Sequence, residues 1–206
     1  MLGSGLVNSL ARPNGNTTGL SILATELDRK RQEILIEAVP GLRRMGALAD
    51  SNVTAVAKLN ELQEAARARK IELSIHQVTR GGQIATAIDT AHASSATALN
   101  VLASPKLFGN RQLIIDRVAA LHLPAIYQWP FTAEEGGFVG YGPDAFQINA
   151  EILARQLVQL FRGVKPADLP VEQPTKFELW INLKTAKAMG VTVPEALLAR
   201  ADKVIE

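Results

Sequence analysis

Polar residues that could hydrogen-bond a small molecule follow a short apolar run at residues 44–49. Asp50, Ser51, Asn52 and Thr54 supply a carboxylate, two hydroxyls and an amide within five positions. Such groups can bind the polar end of a ligand, and they are also the residue types that cap helices. Because a helical pattern follows them, we expect at least one of them to be a helix cap. A helix N-terminus at this point would also favour an anionic ligand group, so the two roles are compatible.

Aromatic residues concentrate further along the chain. Tyr127, Trp129, Phe131 and Tyr141 lie within fifteen positions, although aromatic residues make up only 5% of the sequence. Together they could form the wall of a site for an apolar or aromatic ligand, with the polar tips fixing its orientation. Packing inside the core is the alternative for each of them.

Residue types that serve catalysis, metals or cofactors are sparse. The absence of cysteine excludes disulfides, thiolate catalysis and cysteine-based metal sites. His76, His92 and His122 show no metal-ligand spacing, and His122 is better explained as a favourable contact with a helix C-terminus. The early Gly3-Ser4-Gly5 lacks the third glycine of a dinucleotide loop, and neither a phosphate-binding loop nor a GxSxG elbow occurs. We therefore predict no catalytic residue, no metal and no cofactor.

The composition is that of an ordinary globular protein, with 47% hydrophobic and 20% charged residues over 206 positions. The formal net charge of +2 and the lack of a basic run interleaved with aromatics argue against a nucleic-acid partner. No apolar stretch is long enough to span a bilayer, and the first residues do not resemble a signal peptide. Taken as it stands, the chain is expected not to be exported.

Strand and helix patterns alternate through the middle of the chain. The predicted strands are 44–49, 72–78, 98–103, 123–129 and 137–141, and the predicted helices are 53–66, 84–93 and 107–121. This alternation predicts an α/β fold with a doubly wound parallel sheet, in which the second and third strands flank the first. Ligands of such sheets bind outside the carboxyl ends of the strands, which places a site at loops 50–54 and 104–108.

The last third of the chain has a different pattern. Residues 144–162 read as one long amphipathic helix, and a proline-rich extended stretch follows it. Alternating apolar residues predict a strand over 177–181, and two short helices are expected at 184–189 and 193–201.

Three long stretches resemble an ABC-transporter solute-binding protein family. They are GLVNSLARPNGNTTGLSILATELDRKRQEILIEAVPG, LPAIYQWPFTAEEGGFVGYGPD and KPADLPVEQPTKFELWINLKTAKAMGVTVPEALLARADKVIE. The resemblance implies two Rossmann-like lobes joined by crossing segments, with a small molecule closed between them. It also implies delivery of that molecule to an ABC permease and no catalysis. Some relatives bind amino acids, including aromatic ones.

The family's ligand-facing positions can be carried over to this sequence. Together with the strand-end aromatics they predict a site made of Thr18, Gly19, Asp50, Ser51, Asn52, Pro105, Leu107, Phe108, Tyr127, Trp129 and Tyr141. Relatives often have an NPxNP stretch where this chain has residues 50–54, so the resemblance does not carry the ligand's identity over.

The resemblance also predicts how the chain is divided. Residues 1–16 are expected to be a remnant of the first lobe with a crossing segment, 17–137 the Rossmann-like ligand-binding lobe, and 138–206 a return segment with the long helix and a C-terminal hinge. We expect a short helix at 6–10, followed by a turn at Asn14-Gly15. Since the family carries about half a lobe before this point, the chain is expected to be N-terminally truncated and to bind its ligand weakly by itself.

Truncation leads to two further expectations. The apolar stripe of the long helix would lack its usual neighbour and would support a homodimer through the orphaned first-lobe segments. That stripe consists of Ile148, Ile152, Leu153, Leu157 and Leu160. The family resemblance predicts a periplasmic location, and a cytoplasmic one if this chain is the true gene product. The alternative functions are an effector-binding sensor domain of the same fold and, with less support, an enzyme on a doubly wound sheet.

Overall fold

The computed structural model describes residues 5–145 and 147–206. The chain forms two compact units, each built from separate segments. The small unit comprises Met1–Leu23 and Pro143–Phe177, and the large unit comprises Ala24–Gly142 and Glu178–Glu206. The lobe boundaries predicted above refer to a two-lobed relative and stay a prediction.

Within the described residues, seven strands form one sheet. They are β1 (Arg44–Asp50), β2 (Glu72–Val78), β3 (Leu99–Val101), β4 (Ala125–Tyr127), β5 (Val139–Pro143), β6 (Phe177–Asn182) and β7 (Lys203–Ile205). The α-helices are α1 (Asp28–Ala38), α2 (Val56–Ala68), α3 (Ile84–Ala93), α4 (Pro105–Gly109), α5 (Arg111–Ala120), α6 (Ala154–Phe161), α7 (Leu183–Ala188) and α8 (Glu195–Leu198).

The sheet has the order β2-β1-β3-β4-β5-β6-β7, and β1 pairs in parallel with both β2 and β3. The predicted doubly wound α/β fold, with the first strand between the second and third, is therefore confirmed. Parallel pairing continues from β3 to β4 and from β4 to β5. The carboxyl ends of β1, β3 and β4 thus lie along one edge of the sheet, as the sequence predicted.

Strand β1 shows why this region folds as a buried parallel strand. Its residues from Met45 to Asp50 are all buried, as expected when helices cover both faces of a sheet. Ala47 and Ala49 pack against α2, whereas Leu48 joins the cluster built with α3 and α5. The small side chains of Ala47 and Ala49 allow α2 to pack close to the sheet, whereas Leu48 fills the space between the sheet and the helices on the opposite face.

Several helix predictions need correction. The predicted helix 107–121 is two helices, because the chain breaks at Asn110 between α4 and α5. The predicted helix 144–162 is a π-helix over Gln147–Leu153 followed by α6, and Phe146 lies outside the described residues. Apolar spacing over so short a stretch does not distinguish i→i+4 from i→i+5 hydrogen bonding.

The two ends of the chain also differ from expectation. The predicted helix 193–201 contains only α8, and β7 follows it because Val204 pairs with Ile181 of β6. No helix forms at the described residues 6–10, where the Leu10 carbonyl accepts a hydrogen bond from the Val171 amide. Of the early Gly3-Ser4-Gly5, only Gly5 belongs to the described residues.

The apolar stripe of the small unit is only partly exposed, which corrects its description as an orphaned face. Ile148 and Ile152 are buried, whereas Leu157 and Phe161 are 52% and 88% exposed. None of the helices in the described part of the chain is both long and apolar enough to cross a membrane.

Candidate functional site

Asp50 joins the carboxyl ends of β1 and β3. Its buried carboxylate accepts hydrogen bonds from the Ser104 hydroxyl at 2.8 Å and from the Lys106 ammonium at 2.7 Å. Desolvation acts to raise the pKa of Asp50, but the hydrogen bonds from Lys106 and Ser104 outweigh it and hold that pKa below its ordinary value. An ionised Asp50 therefore links loops 50–54 and 104–108, the two that the sequence analysis placed together.

The loop after β1 does not cap the next helix, so the capping prediction is wrong. The N-cap residue of helix α2 is Ala55, whose side chain makes no capping hydrogen bond. Asn52 instead donates its backbone N–H to Asp50 and its side-chain amide to the Thr79 carbonyl, and the Ser51 hydroxyl donates to the Val78 carbonyl. These bonds fold the loop toward the end of β2. The cap falls at Ser104, whose hydroxyl oxygen accepts hydrogen bonds from backbone amides at the start of α4.

The hydroxyl of Thr54 is buried and has no hydrogen-bond partner among the described residues. The loop after β1 therefore retains one unused hydroxyl at the sheet edge where ligands of this fold class bind.

Three aromatic rings meet at the same edge of the sheet. We call Phe108, Trp129 and Phe131 the aromatic cluster; their ring centroids lie 6.0 to 6.1 Å apart. Arg111 places its guanidinium 4.6 Å from the Phe108 ring centroid and makes two hydrogen bonds to Glu135, at 2.7 and 2.8 Å. All three rings are half-buried, so each has an accessible part. Trp129 and Phe131 were predicted from the local concentration of aromatic residues and Phe108 from the family resemblance, and the fold shows that the three rings are in contact.

A small recess lies beside the aromatic cluster. It is lined by Val101, Leu102, Leu107, Phe108, Arg111, Tyr127, Gln128 and Thr132. Leu107 and Tyr127 are almost fully buried, so in this conformation they support the recess from within the core. The Tyr127 hydroxyl has no partner among the described residues, and burial raises its pKa. The recess thus combines apolar walls with one unsatisfied buried hydroxyl.

The remaining predicted site residues are Thr18, Gly19, Pro105 and Tyr141. In the small unit, the Thr18 hydroxyl donates to the Leu169 carbonyl at 2.8 Å, and the Gly19 carbonyl accepts from the Glu172 amide at 3.0 Å. Pro105 is exposed in the first turn of α4, and Tyr141 is half-buried in β5 of the large unit. The structure therefore joins loops 50–54 and 104–108 through Asp50, Ser104 and Lys106, and separately places Phe108 against Trp129.

One buried ion pair was not predicted from the sequence. Asp28 and Arg31 are 3% and 0% exposed, and their side chains meet at 2.7 Å. Burial raises the pKa of Asp28 to about 6 against the opposing effect of Arg31. An acid and a base three residues apart at a helix start are usually exposed, so the sequence carried no signal that this pair is internal.

Histidines and acidic residues form no metal centre in the described part of the chain. His76 Nε2 lies 2.9 Å from the Ser74 hydroxyl, and burial lowers the pKa of His76. His122 Nδ1 lies 3.0 Å from the Ala188 carbonyl oxygen. The described polar groups at the sheet edge are suited to hydrogen-bonding a small molecule.

Comparison with known proteins agrees with this interpretation. The family model of the ABC transporter substrate binding proteins matches residues 1–205. The crystal structure of an ABC domain in complex with L-Trp from Streptococcus pneumoniae is 25% identical with a TM-score of 0.85, over 99% of this chain and 68% of that one. A conserved domain protein from Vibrio cholerae gives the same identity and TM-score over 98% and 68%.

A substrate binding protein with adhesive properties from Clostridium difficile, in its ligand-free open structure, shares the fold at 16% identity. Its TM-score is 0.64, over 99% of this chain and 68% of that one. A search of curated protein sequences gives no significant match. Because the family model spans nearly the whole sequence, this chain belongs to the ABC transporter substrate binding protein family.

Proposed function

We propose that this chain is the solute-binding component of an ABC transporter and holds an amino acid or a related compound between two lobes, for delivery to a permease. The observation that carries the proposal is the half-buried aromatic cluster on the sheet edge where Asp50 and Lys106 meet. An aromatic surface beside polar and cationic groups matches the two ends of an amino acid. The L-Trp complex of the Streptococcus pneumoniae relative supports this choice of ligand class.

In this proposal the large unit supplies one wall of the site. Ser51, Asn52 and the partly exposed Lys106 ammonium would bind the polar end of the ligand, and Phe108 and Trp129 would contact its side chain. Leu107 and Tyr127 would back this wall. Thr18, Gly19, Pro105 and Tyr141 are proposed as further contacts on the strength of the family resemblance.

The proposal is tested by NMR titration of the protein with millimolar concentrations of each common amino acid. We expect aromatic amino acids to shift backbone amides of residues 50–54, 104–108 and 129–131. Trp129→Ala should weaken that binding by roughly tenfold or more, because the aromatic ring of the ligand loses its contact with the Trp129 ring. Trp180→Ala is the matched control, since Trp180 contacts Glu178 and Lys203 on β6 and β7.

Two results would contradict the proposal. One is that no amino acid shifts amides in these three segments of the wild-type protein. The other is that Trp180→Ala and Trp129→Ala weaken binding equally, which would assign the effect to general loss of packing.

Location and assembly are finer parts of the same proposal. We propose a periplasmic location, as the family resemblance implies, and self-association of the chain through α6. Exposed Leu157, Val158 and Phe161 support self-association, although burial of Ile148 and Ile152 leaves less apolar surface for it than the sequence predicted. Light scattering over a range of protein concentrations measures the mass directly. A mass that stays at 22.2 kDa at every concentration would rule self-association out.

A further inference from the structure

The buried ion pair lies where the chain enters and leaves the large unit. That unit begins at Ala24 and its first segment ends at Gly142. Arg31 donates from one guanidinium nitrogen to the Ala24 carbonyl at 3.0 Å, and from Nε to the Tyr141 carbonyl at 2.8 Å. One side chain of α1 therefore binds the chain beside two of the three points at which it crosses the boundary of the unit; the third lies between Phe177 and Glu178. We call these two points the crossings.

The same pair also reaches the loop that follows β3. The Asp28 carboxylate accepts a hydrogen bond from the Ala103 amide at 3.0 Å. The next residue, Ser104, binds Asp50 and caps α4. The Asp28 backbone carbonyl in turn accepts from the buried side-chain amide of Asn100 at 3.2 Å. The pair is thus bonded to the crossings on one side and to a predicted ligand-binding loop on the other.

Stability alone gives a weak reason for such a pair. Taking two charges out of water costs about as much free energy as their attraction returns, and apolar replacements are often as stable. The guanidinium is planar and presents its donors in a fixed fork, so it sets the relative positions of the groups it binds. One Asp28 oxygen also has no partner among the described residues, which is a cost that an apolar pair would avoid.

We infer that Asp28 and Arg31 form a positioning pair that couples the loop after β3 to the two crossings. A ligand bound at that loop would then change the backbone positions at Ala24 and Tyr141, because the Asp28–Arg31 pair is hydrogen-bonded to the loop and to both crossings. The ligand's part in this inference depends on the function proposed above, whereas the coupling itself does not.

Hydrogen exchange measured by mass spectrometry on the ligand-free protein tests the coupling. Arg31→Met should speed exchange by roughly tenfold in peptides covering residues 22–28, 102–107 and 139–143, while peptides from α2 and β2 keep the wild-type rate. Arg29→Met is the matched control, because the Arg29 side chain is 63% exposed and pairs with Glu33 one turn along the same helix. If Arg31→Met does not fold, Arg31→Lys gives the same test, since an ammonium cannot present a fork to two carbonyls.

A double-mutant cycle distinguishes coupling from simple loosening. Ser104→Ala should speed exchange at the crossings in the wild-type background and add little when Arg31 has already been replaced. Unchanged exchange at the crossings, a uniform rise over the whole large unit, or strictly additive effects would each overturn the inference. An amino-acid titration without shifts would contradict the proposed function and leave this result intact.

Discussion

Gly142→Ala is expected to lower the free energy of unfolding by about 3 kcal/mol or more, the largest effect of any substitution proposed for this protein. A Cβ atom at this position of β5 would lie 2.1 Å from the Gln128 carbonyl oxygen. Gly140, two residues earlier on the same face, would bring its Cβ within 2.4 Å of the Trp129 carbonyl oxygen. The obstructing atoms belong to the backbone, so no side chain can move aside.

The clash also has a consequence for the site. Segment 128–130 follows β4 and carries Trp129, one of the three rings of the aromatic cluster. Gly140 and Gly142 allow this segment to lie directly against β5, and a methyl group would push it away. Gly142→Ala should therefore also reduce any ligand binding that depends on Trp129.

Urea denaturation followed by circular dichroism measures the loss of stability. Gly82→Ala is the matched control, because no heavy atom lies within 4 Å of its added Cβ and its φ lies outside the left-handed region. Gly82→Ala should stay within about 1 kcal/mol of the wild type. If Gly142→Ala were equally mild, the close approach of segment 128–130 to β5 would be refuted.

Asp50→Ala is expected to lower the free energy of unfolding by about 2–4 kcal/mol. It removes the acceptor of the Ser104 hydroxyl, the Lys106 ammonium and the Asn52 amide at once. Loops 50–54 and 104–108 would lose their mutual link, so we expect weaker ligand binding as well. Asp89→Ala is the control. The Asp89–Arg117 pair is about 40% exposed, so its loss should cause no measurable change in the free energy of unfolding.

The pH dependence of stability distinguishes the contribution of the charge of Asp50 from that of its size and hydrogen-bonding shape. The native state holds the pKa of Asp50 below 3.8, so its stabilising contribution is present above that value and is lost as the pH falls through the lower native pKa. The difference in stability between the wild type and Asp50→Asn should therefore shrink as the pH falls below about 4. A difference that stays constant from neutral to acid pH would contradict an ionised Asp50 in the native state.

The sequence by itself predicted the elements whose burial follows a local pattern. The buried run of β1, the alternating strand β2 and the amphipathic helix α3 were each predicted within one residue of their observed bounds. Alternation of strands and helices then gave the strand order around β1, because right-handed crossovers leave few alternatives. The edge of the sheet where loops 50–54 and 104–108 meet followed from that order.

Only the tertiary structure decided which groups these elements bring together. Local spacing did not reveal that Asp50 binds Ser104 and Lys106 instead of capping α2, or that Phe108 joins Trp129. It also gave no sign that Arg31 is buried against Ala24 and Tyr141. Helix and strand patterns reflect contacts between residues close in sequence, whereas a polar side chain is satisfied by whichever partner the packing of distant segments places within reach.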